Sequence, residues 1–200
     1  YRSQMTFLGD ITVPLAWRKL YCGIFKLEKN GVTVYFLDNE YYFKRPDLYG
    51  SYDDGERFAF FGSAVLHVLP HIDFIPDILH AHDWQSAHSV IYLKTVFADN
   101  PEYNHIRTVF TIHNVAYQGK YDPAILGDVF GLDKKFYSIV ENDGCINLMK
   151  GAIEYADAVT TVSETYAREI LYPYYAHGLD GVLSGYTWKL SGITNGIDVD

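Results

Sequence analysis

Cysteine is scarce: the 200-residue chain has two, Cys22 and Cys145. They are too few and too scattered for a disulfide framework or a CxxC redox site, so reduced thiols, as in a cytoplasm, are expected. Basic charge is also short, with 16 Lys and Arg against 25 Asp and Glu and a net charge of −9. No Lys/Arg cluster interrupts that balance, which argues against a nucleic-acid partner. No apolar run approaches the roughly 20 residues of a membrane-spanning helix, and no signal-peptide pattern opens the chain. A soluble cytoplasmic protein with no membrane partner is the expectation. The phosphate-cradling glycine motifs GxGxxG and GxxxxGKS/T are missing. Gly178 to Gly181 is the nearest glycine-bearing stretch, and it is too sparse to stand in for them. There is no GxSxG elbow and no Cys/His nucleophile arrangement, no internal repeat and no low-complexity segment.

What is present is apolar and aromatic. Hydrophobic residues make up 48% of the chain, which excludes disorder. One domain of this length buries roughly 70% of its unfolded surface. Aromatics reach 16%, with 18 Tyr and 12 Phe. They suit core and interface packing, or a surface whose ring faces stack on sugars.

The first forty residues read as β-rich: Ile11 to Val13 pairs with Leu20 to Leu27, and Asn30-Gly31 turns Ile24–Leu27 into a hairpin with Val32–Leu37. Ser51 and Asp54 fit a capping box for a helix whose apolar stripe is Phe58, Phe61, Val65 and Val68 and which Pro70 ends. The acidic run Asp53, Asp54, Glu56 belongs to that helix start. Residues 76–82 read as a short buried strand, 84–97 as a helix broken by Asn100-Pro101, and 106–112 as a strand. A helix over 146–156, a strand over 158–162, a helix N-capped by Ser163 and a short strand over 191–193 complete the pattern. Strands alternating with helices predict a parallel sheet with helices on both faces. Such sheets bind ligands beyond the carboxyl ends of their strands, which points to His82–Asp83, His113–Asn114, Ser163 and Asn195.

Each of those positions carries two readings. His80 and His82 share one face of a strand, as zinc ligands or as a packed, hydrogen-bonded pair; a metal site would need a third ligand from elsewhere. Asp83 stands where strand becomes helix, and either caps the first turn or reaches into the crevice to accept from hydroxyls. The loop His113, Asn114, Tyr117, Gln118 is dense in directional donors and acceptors beside apolar faces, as sugar recognition needs; alternatively it is an ordinary loop. Asn195-Gly196 by itself is a turn.

Together these segments resemble the bacterial glycogen synthase and plant starch synthase family. The resemblance rests on residues 48–50 (LYG) followed by 56–61 (ERFAFF), and on 76–85 (PDILHAHDWQ), which is similar to the family's HDW motif. It continues through 111–119 (TIHNVAYQG), 155–170 (YADAVTTVSETYAREI), 178–183 (GLDGVL) and 195–198 (NGID), in order over nearly the whole chain. The resemblance implies an α/β fold: a Rossmann-like parallel sheet with flanking helices, one half of a two-domain B-type glycosyltransferase. Residues 1–200 would be its N-terminal, acceptor-side half, truncated at both ends and inactive alone.

The implied reaction is transfer of glucose from ADP-glucose to the non-reducing end of an α-1,4-glucan, with retention and with no metal or other cofactor. The missing C-terminal domain of the same chain would be the partner. Asp83 would contact the sugar or acceptor, and His113 would hydrogen-bond the transferred glucose. Asn114 and Asn195 would help hold that glucose, and Tyr52 matches a Tyr placed near the cleft. Tyr117 and Gln118 belong to the same polar loop. Departures are the family's KxGGL loop and its second half, both missing, and His88 where an apolar residue is usual, read as a surface or packing change. A UDP-glucose-dependent relative and a non-catalytic glucan-binding module on the same fold are the alternatives.

Overall fold

The computed structural model describes residues 2–197. Three antiparallel strands, β1 (Thr6–Leu15), β2 (Arg18–Lys29) and β3 (Val32–Asp38), form the first sheet. The register matches the sequence reading, with Ile11 opposite Cys22 and Lys29 opposite Val32. Asn30 and Gly31 both take positive φ, 53° and 77°, the pairing a two-residue turn of primed type requires. After a short helix α1 (Glu40–Phe43), helix α2 (Asp54–Val68) packs on β1, and Ser63 Oγ donates to the Pro14 carbonyl at 2.9 Å.

The expected start of α2 is corrected by two residues and in its chemistry. Ser51 does not open the helix; its N-cap is Asp53, with no side-chain cap bond. Asp54 turns back instead, accepting from Gly50 N at 2.6 Å and pairing with Arg57. The apolar stripe is also partly displaced: Val68 is buried as expected, but so are Ala59, Phe60, Ala64 and Leu66, while Phe58, Phe61 and Val65 are half-buried. The reason is that α2 has partners on two sides, β1 and helix α3 (Asp83–Lys94), so no single stripe defines its interior. At the α2–α3 crossing, a Cβ on Gly62 would stand 2.8 Å from His88 Cβ.

The second sheet is parallel, in the order β10 (Leu190–Gly192), β9 (Ala158–Thr161), β5 (Arg107–Ile112), β4 (Ile78–His82). Residues 76–82 were expected to be buried; instead β4 is the sheet's edge among the described residues, and of its five side chains only Ala81 is buried. Helix α5 (Leu148–Tyr155) packs on α3 and β5, and α6 (Glu164–Glu169) on β9 and β10. A shared core results, with Phe60, Ile91, Phe110, Ile112, Leu148 and Ile153 almost fully buried, each contributing roughly 1.5–3 kcal/mol of transfer free energy. His88 lies in that core, fully buried against Tyr92 and Phe130, so it is a packing residue and not a surface one.

A small sheet escaped the sequence reading: β6 (Lys120–Tyr121), β8 (Cys145–Asn147) and β7 (Glu141–Asn142), beside α4 (Tyr137–Val140). Short helices α7 (Pro173–Ala176) and α8 (Asp180–Gly185) precede β10.

The amino ends of the parallel strands are tied by Asp157. Its Oδ2 accepts from Thr108 N and Thr108 Oγ1 at 2.8 and 2.9 Å and pairs with Lys94 at 3.0 Å. Burial would raise its pKa, but the Thr108 amide and hydroxyl and the Lys94 ammonium outweigh it and hold the carboxyl at about 2. Asp157, in the midst of the residue 155–170 motif, is thus structural and lies at the far end of the sheet from the candidate site.

Candidate active site

Four strand ends meet at one rim. His82 closes β4, Ile112 closes β5, Thr161 closes β9 and Gly192 closes β10. All four strands run parallel, so Asp83, His113, Ser163 and the segment carrying Asn195 all follow carboxyl ends.

Asp83 does not take the capping role. Its φ is +56°, a left-handed conformation that Asp tolerates better than most residues but that still costs on the order of 1–3 kcal/mol. The turn carries its carboxylate away from its own helix, whose N-cap His82 makes no side-chain cap bond, and toward the next strand. There Oδ1 accepts from His113 N at 2.8 Å and Asn114 N at 3.4 Å. Oδ2 has no hydrogen-bond partner among the described residues. One carboxylate therefore locks two strand-end loops together through one oxygen.

The histidines form a second link between the same loops. His82 Nδ1 and His113 Nε2 lie 3.0 Å apart. His80 and His82 stack with centroids 4.2 Å apart, and His80 Nε2 meets Thr111 Oγ1 at 2.7 Å. Thr111 Oγ1 in turn meets Thr160 Oγ1 of β9 at 2.6 Å. Burial pushes the pKa of His80 down, helped by His113. Burial likewise pushes His82 down, helped by His80 and His113 and opposed by Asp83. Among the described residues no group of three or more His, Cys, Asp or Glu is arranged to hold a metal ion; His80 and His82 make a stack and hydrogen bonds.

The loop after β5 is held from beneath. Asn114 Oδ1 accepts from Ala116 N at 3.0 Å, and the Tyr166 hydroxyl of α6 accepts from Val115 N at 3.1 Å. Gly119 sits at φ +66°, and a Cβ there would come 2.6 Å from the Trp84 ring, so the loop can lie on Trp84 only with glycine at this position. His113, Asn114 and Tyr117 stand exposed on the loop's upper side. Gln118 is turned the other way: it is buried, its amide donates to Val115 O and His177 O at 2.9 and 3.1 Å, and its oxygen accepts from Asn147 at 2.8 Å.

Tyr49, Gly50, Asp54, Asp83, Asn114 and Tyr117 are among the residues around an open cavity of about 420 Å³. Tyr52, fully exposed, stands in the turn that supplies Gly50 and Asp54. Asn195 is exposed past the end of β10, two strands from β5, roughly 10 Å along the rim at about 4.8 Å per strand. Asp198 lies outside the described residues. A larger cavity of about 510 Å³ between β3, α2 and β4 has only apolar, Thr and Tyr side chains around it, with no acid or histidine to do chemistry.

The structure thus brings Asp83, His113, Asn114 and Tyr117 to one rim, places Tyr52 and Asn195 at its margins, and puts Gln118 under it. The sequence reading pointed to His82 at a strand end but not to its bond with His113, and it missed Thr111, Thr160 and Tyr166 as members of this constellation. The strand-end position of His82 and the HxH spacing give a place and a shared face but no partner.

Comparison with known proteins came out consistently. The family model described as starch synthase catalytic domain matches residues 1–185. A glycogen synthase of Desulforamulus reducens is 52% identical over 202 residues, covering 100% of this chain and 42% of its own length. A glycogen synthase of Alkaliphilus metalliredigens is 48% identical over 199 residues, covering 98% of this chain and 42% of its own length. Among solved structures, the catalytic domain of starch synthase IV from Arabidopsis thaliana, bound to ADP and acarbose, superimposes with a TM-score of 0.88 at 31% identity. That match covers 98% of this chain and 41% of the other. The chain spans about two-fifths of the length of the relatives it matches.

Proposed function

The chain belongs to the starch synthase catalytic-domain family, and on that premise we propose that it forms the acceptor-side half of a glucosyltransferase that extends an α-1,4-glucan from ADP-glucose with retention. The observation that carries this reading is the double tie between the loops after β4 and β5. Asp83 Oδ1 binds the His113 and Asn114 amides, and His82 binds the His113 ring, beside an open cavity of about 420 Å³.

Transfer at an anomeric carbon builds positive charge on the sugar ring. A carboxylate fixed beforehand near that ring lowers the barrier without reorganising during the step. Asp83 is fixed in that sense: its backbone is committed to an unusual φ and one oxygen is already bound. The His113 ring and the Asn114 side-chain amide hydrogen-bond the glucosyl hydroxyls, Asn195 reaches the same sugar from the margin, and Tyr52 and Tyr117 offer ring faces to glucan. Holding the acceptor hydroxyl against the anomeric carbon removes entropy from the barrier. With Asp83 assigned to electrostatic stabilisation and not to attack, the step is a front-face path in which the leaving phosphate takes the acceptor's proton. Gln118 acts indirectly, by anchoring the loop to Asn147 and His177. Nucleotide contacts fall to the other half, so the chain alone is expected to be inactive.

Glucose incorporation into glycogen should be assayed with ADP-glucose and with UDP-glucose, for the full-length protein and for residues 1–200 alone. The reading expects α-linked incorporation by the full-length protein, faster from ADP-glucose, and none by the chain alone. No incorporation from either donor by the full-length protein would contradict it, as would unchanged transfer in His113→Ala, the result that favours a non-catalytic glucan-binding module.

A further inference from the structure

We propose that His82 is a positioning residue: through its Nδ1 it fixes the ring orientation and tautomer of His113, so that His113 meets the sugar with its Nδ1. The inference rests on the reading of His113 as a sugar contact and extends it to a residue that touches no substrate itself.

The geometry supports this from both ends of the bond. At the His113 end, Nε2 lies 3.0 Å from His82 Nδ1, which leaves Nδ1 as the ring's one nitrogen for a ligand. The His113 backbone is separately pinned by Asp83, so the torsions of the side chain are what remain to be fixed, and the His82 bond fixes them. At the His82 end, the residue is held on three sides. Ser86 Oγ accepts from His82 N at 2.6 Å and lies 2.6 Å from His82 O. The His80 ring stacks on the His82 ring, and His80 is itself tied through Thr111 to Thr160. Ser86 of α3 thus holds the His82 backbone, and three residues on three strands, His80, Thr111 and Thr160, brace a ring that is otherwise exposed, which an ordinary surface histidine does not need.

A bond between two imidazole nitrogens holds one proton: one ring donates and the other accepts. It therefore selects complementary tautomers and fails when both rings are charged, because both nitrogens then carry hydrogens. The groups facing His82 are His80 from its own strand, Asp83 next in sequence, Ser86 from α3 and His113 from the loop after β5. Burial and the two neighbouring rings disfavour the charged form of His82, which keeps its Nδ1 able to accept as well as donate, a choice lost once acid charges that ring.

The test uses the full-length protein with three variants, His82→Phe, His82→Asn and His113→Ala. Asparagine places a polar atom near the position of Nδ1 and can keep the bond without titrating; phenylalanine keeps the stack and loses the bond. Phe should lower kcat/KM about tenfold or more, chiefly in kcat. Asn should recover most of that loss, and the acid limb of its pH profile should move to lower pH. The inference is overturned if His113→Ala loses transfer while His82→Phe keeps the parent kcat/KM, or if Asn is as impaired as Phe with an unmoved acid limb. Retained transfer in His113→Ala would instead remove the underlying reading. Should the Phe variant fail to fold, the Asn pH profile decides alone: a shifted acid limb supports the inference and an unshifted one overturns it.

Discussion

Asp83→Ala in the full-length protein should reduce glucosyl transfer about a hundredfold or more, the scale seen when one preorganised electrostatic contact to a transition state is removed. Two functions are lost together: the carboxylate's charge, and the clamp on the His113 and Asn114 amides. The backbone at position 83 lets these be separated from stability. Its φ of +56° is strained for alanine and free for glycine, so Asp83→Gly should unfold at an equal or higher temperature than Asp83→Ala while being as inactive. Asp83→Asn tolerates the same φ and keeps an oxygen for the two amides but no charge, so its activity should fall between. Steady-state kinetics and thermal unfolding of the three variants check this ordering. A fully active Asp83→Asn would show that the carboxylate is a structural clamp alone, and an active Asp83→Gly that transfer needs neither the clamp nor the charge.

The second large effect is on stability. His88 is fully buried with both ring nitrogens lacking a hydrogen-bond partner among the described residues, and burial pushes its pKa down to about 3. Between that value and the ordinary pKa of about 6.5, the unfolded chain holds a proton that the folded chain refuses. Stability is therefore greatest above about pH 6.5 and falls as pH drops, at about 1.4 kcal/mol per pH unit within the window. From pH 7 to pH 5 the expected loss from this one residue is about 2 kcal/mol. Replacing it with leucine, similar in size and with nothing to protonate, should flatten the dependence. It should also recover part of the roughly 1–3 kcal/mol that an unpaired buried ring N–H costs. Denaturant unfolding of parent and His88→Leu at pH 7 and pH 5 measures both effects. Parallel losses in the two proteins would show that His88 is not the source.

These two residues also mark how far the sequence could be read. Features set by neighbours in the chain were legible. Asn30-Gly31 demands positive φ and made its hairpin, and Ser163 caps α6 by accepting from Tyr166 N at 2.9 Å. The alternation of strands and helices foretold the parallel sheet, and its carboxyl rim located Asp83 and His113. Features set by distant partners were not legible. The apolar residues of β4 looked buried because a single sequence does not show where a sheet ends. Asp54 fitted a capping box until Gly50 and Arg57 took its carboxylate. The strands β6, β7 and β8, two or three residues each, are too short to show a period. Gln118 looked like a rim residue because its partners, His177 and Asn147, come from far along the chain. The His82–His113 bond spans 31 positions, and the left-handed Asp83 that directs its carboxylate across to β5 leaves no trace in composition or spacing.

The central claim is that one glucosyl unit binds on the loops that Asp83 ties together. A crystal structure of the full-length protein with donor and a malto-oligosaccharide tests it most directly. The account predicts a glucosyl ring whose hydroxyls lie about 2.7–3.2 Å from the His113 and Asn114 side chains, with the His82–His113 bond intact. A sugar seated instead in the apolar groove between β3, α2 and β4, with the His113 ring unengaged, would contradict it.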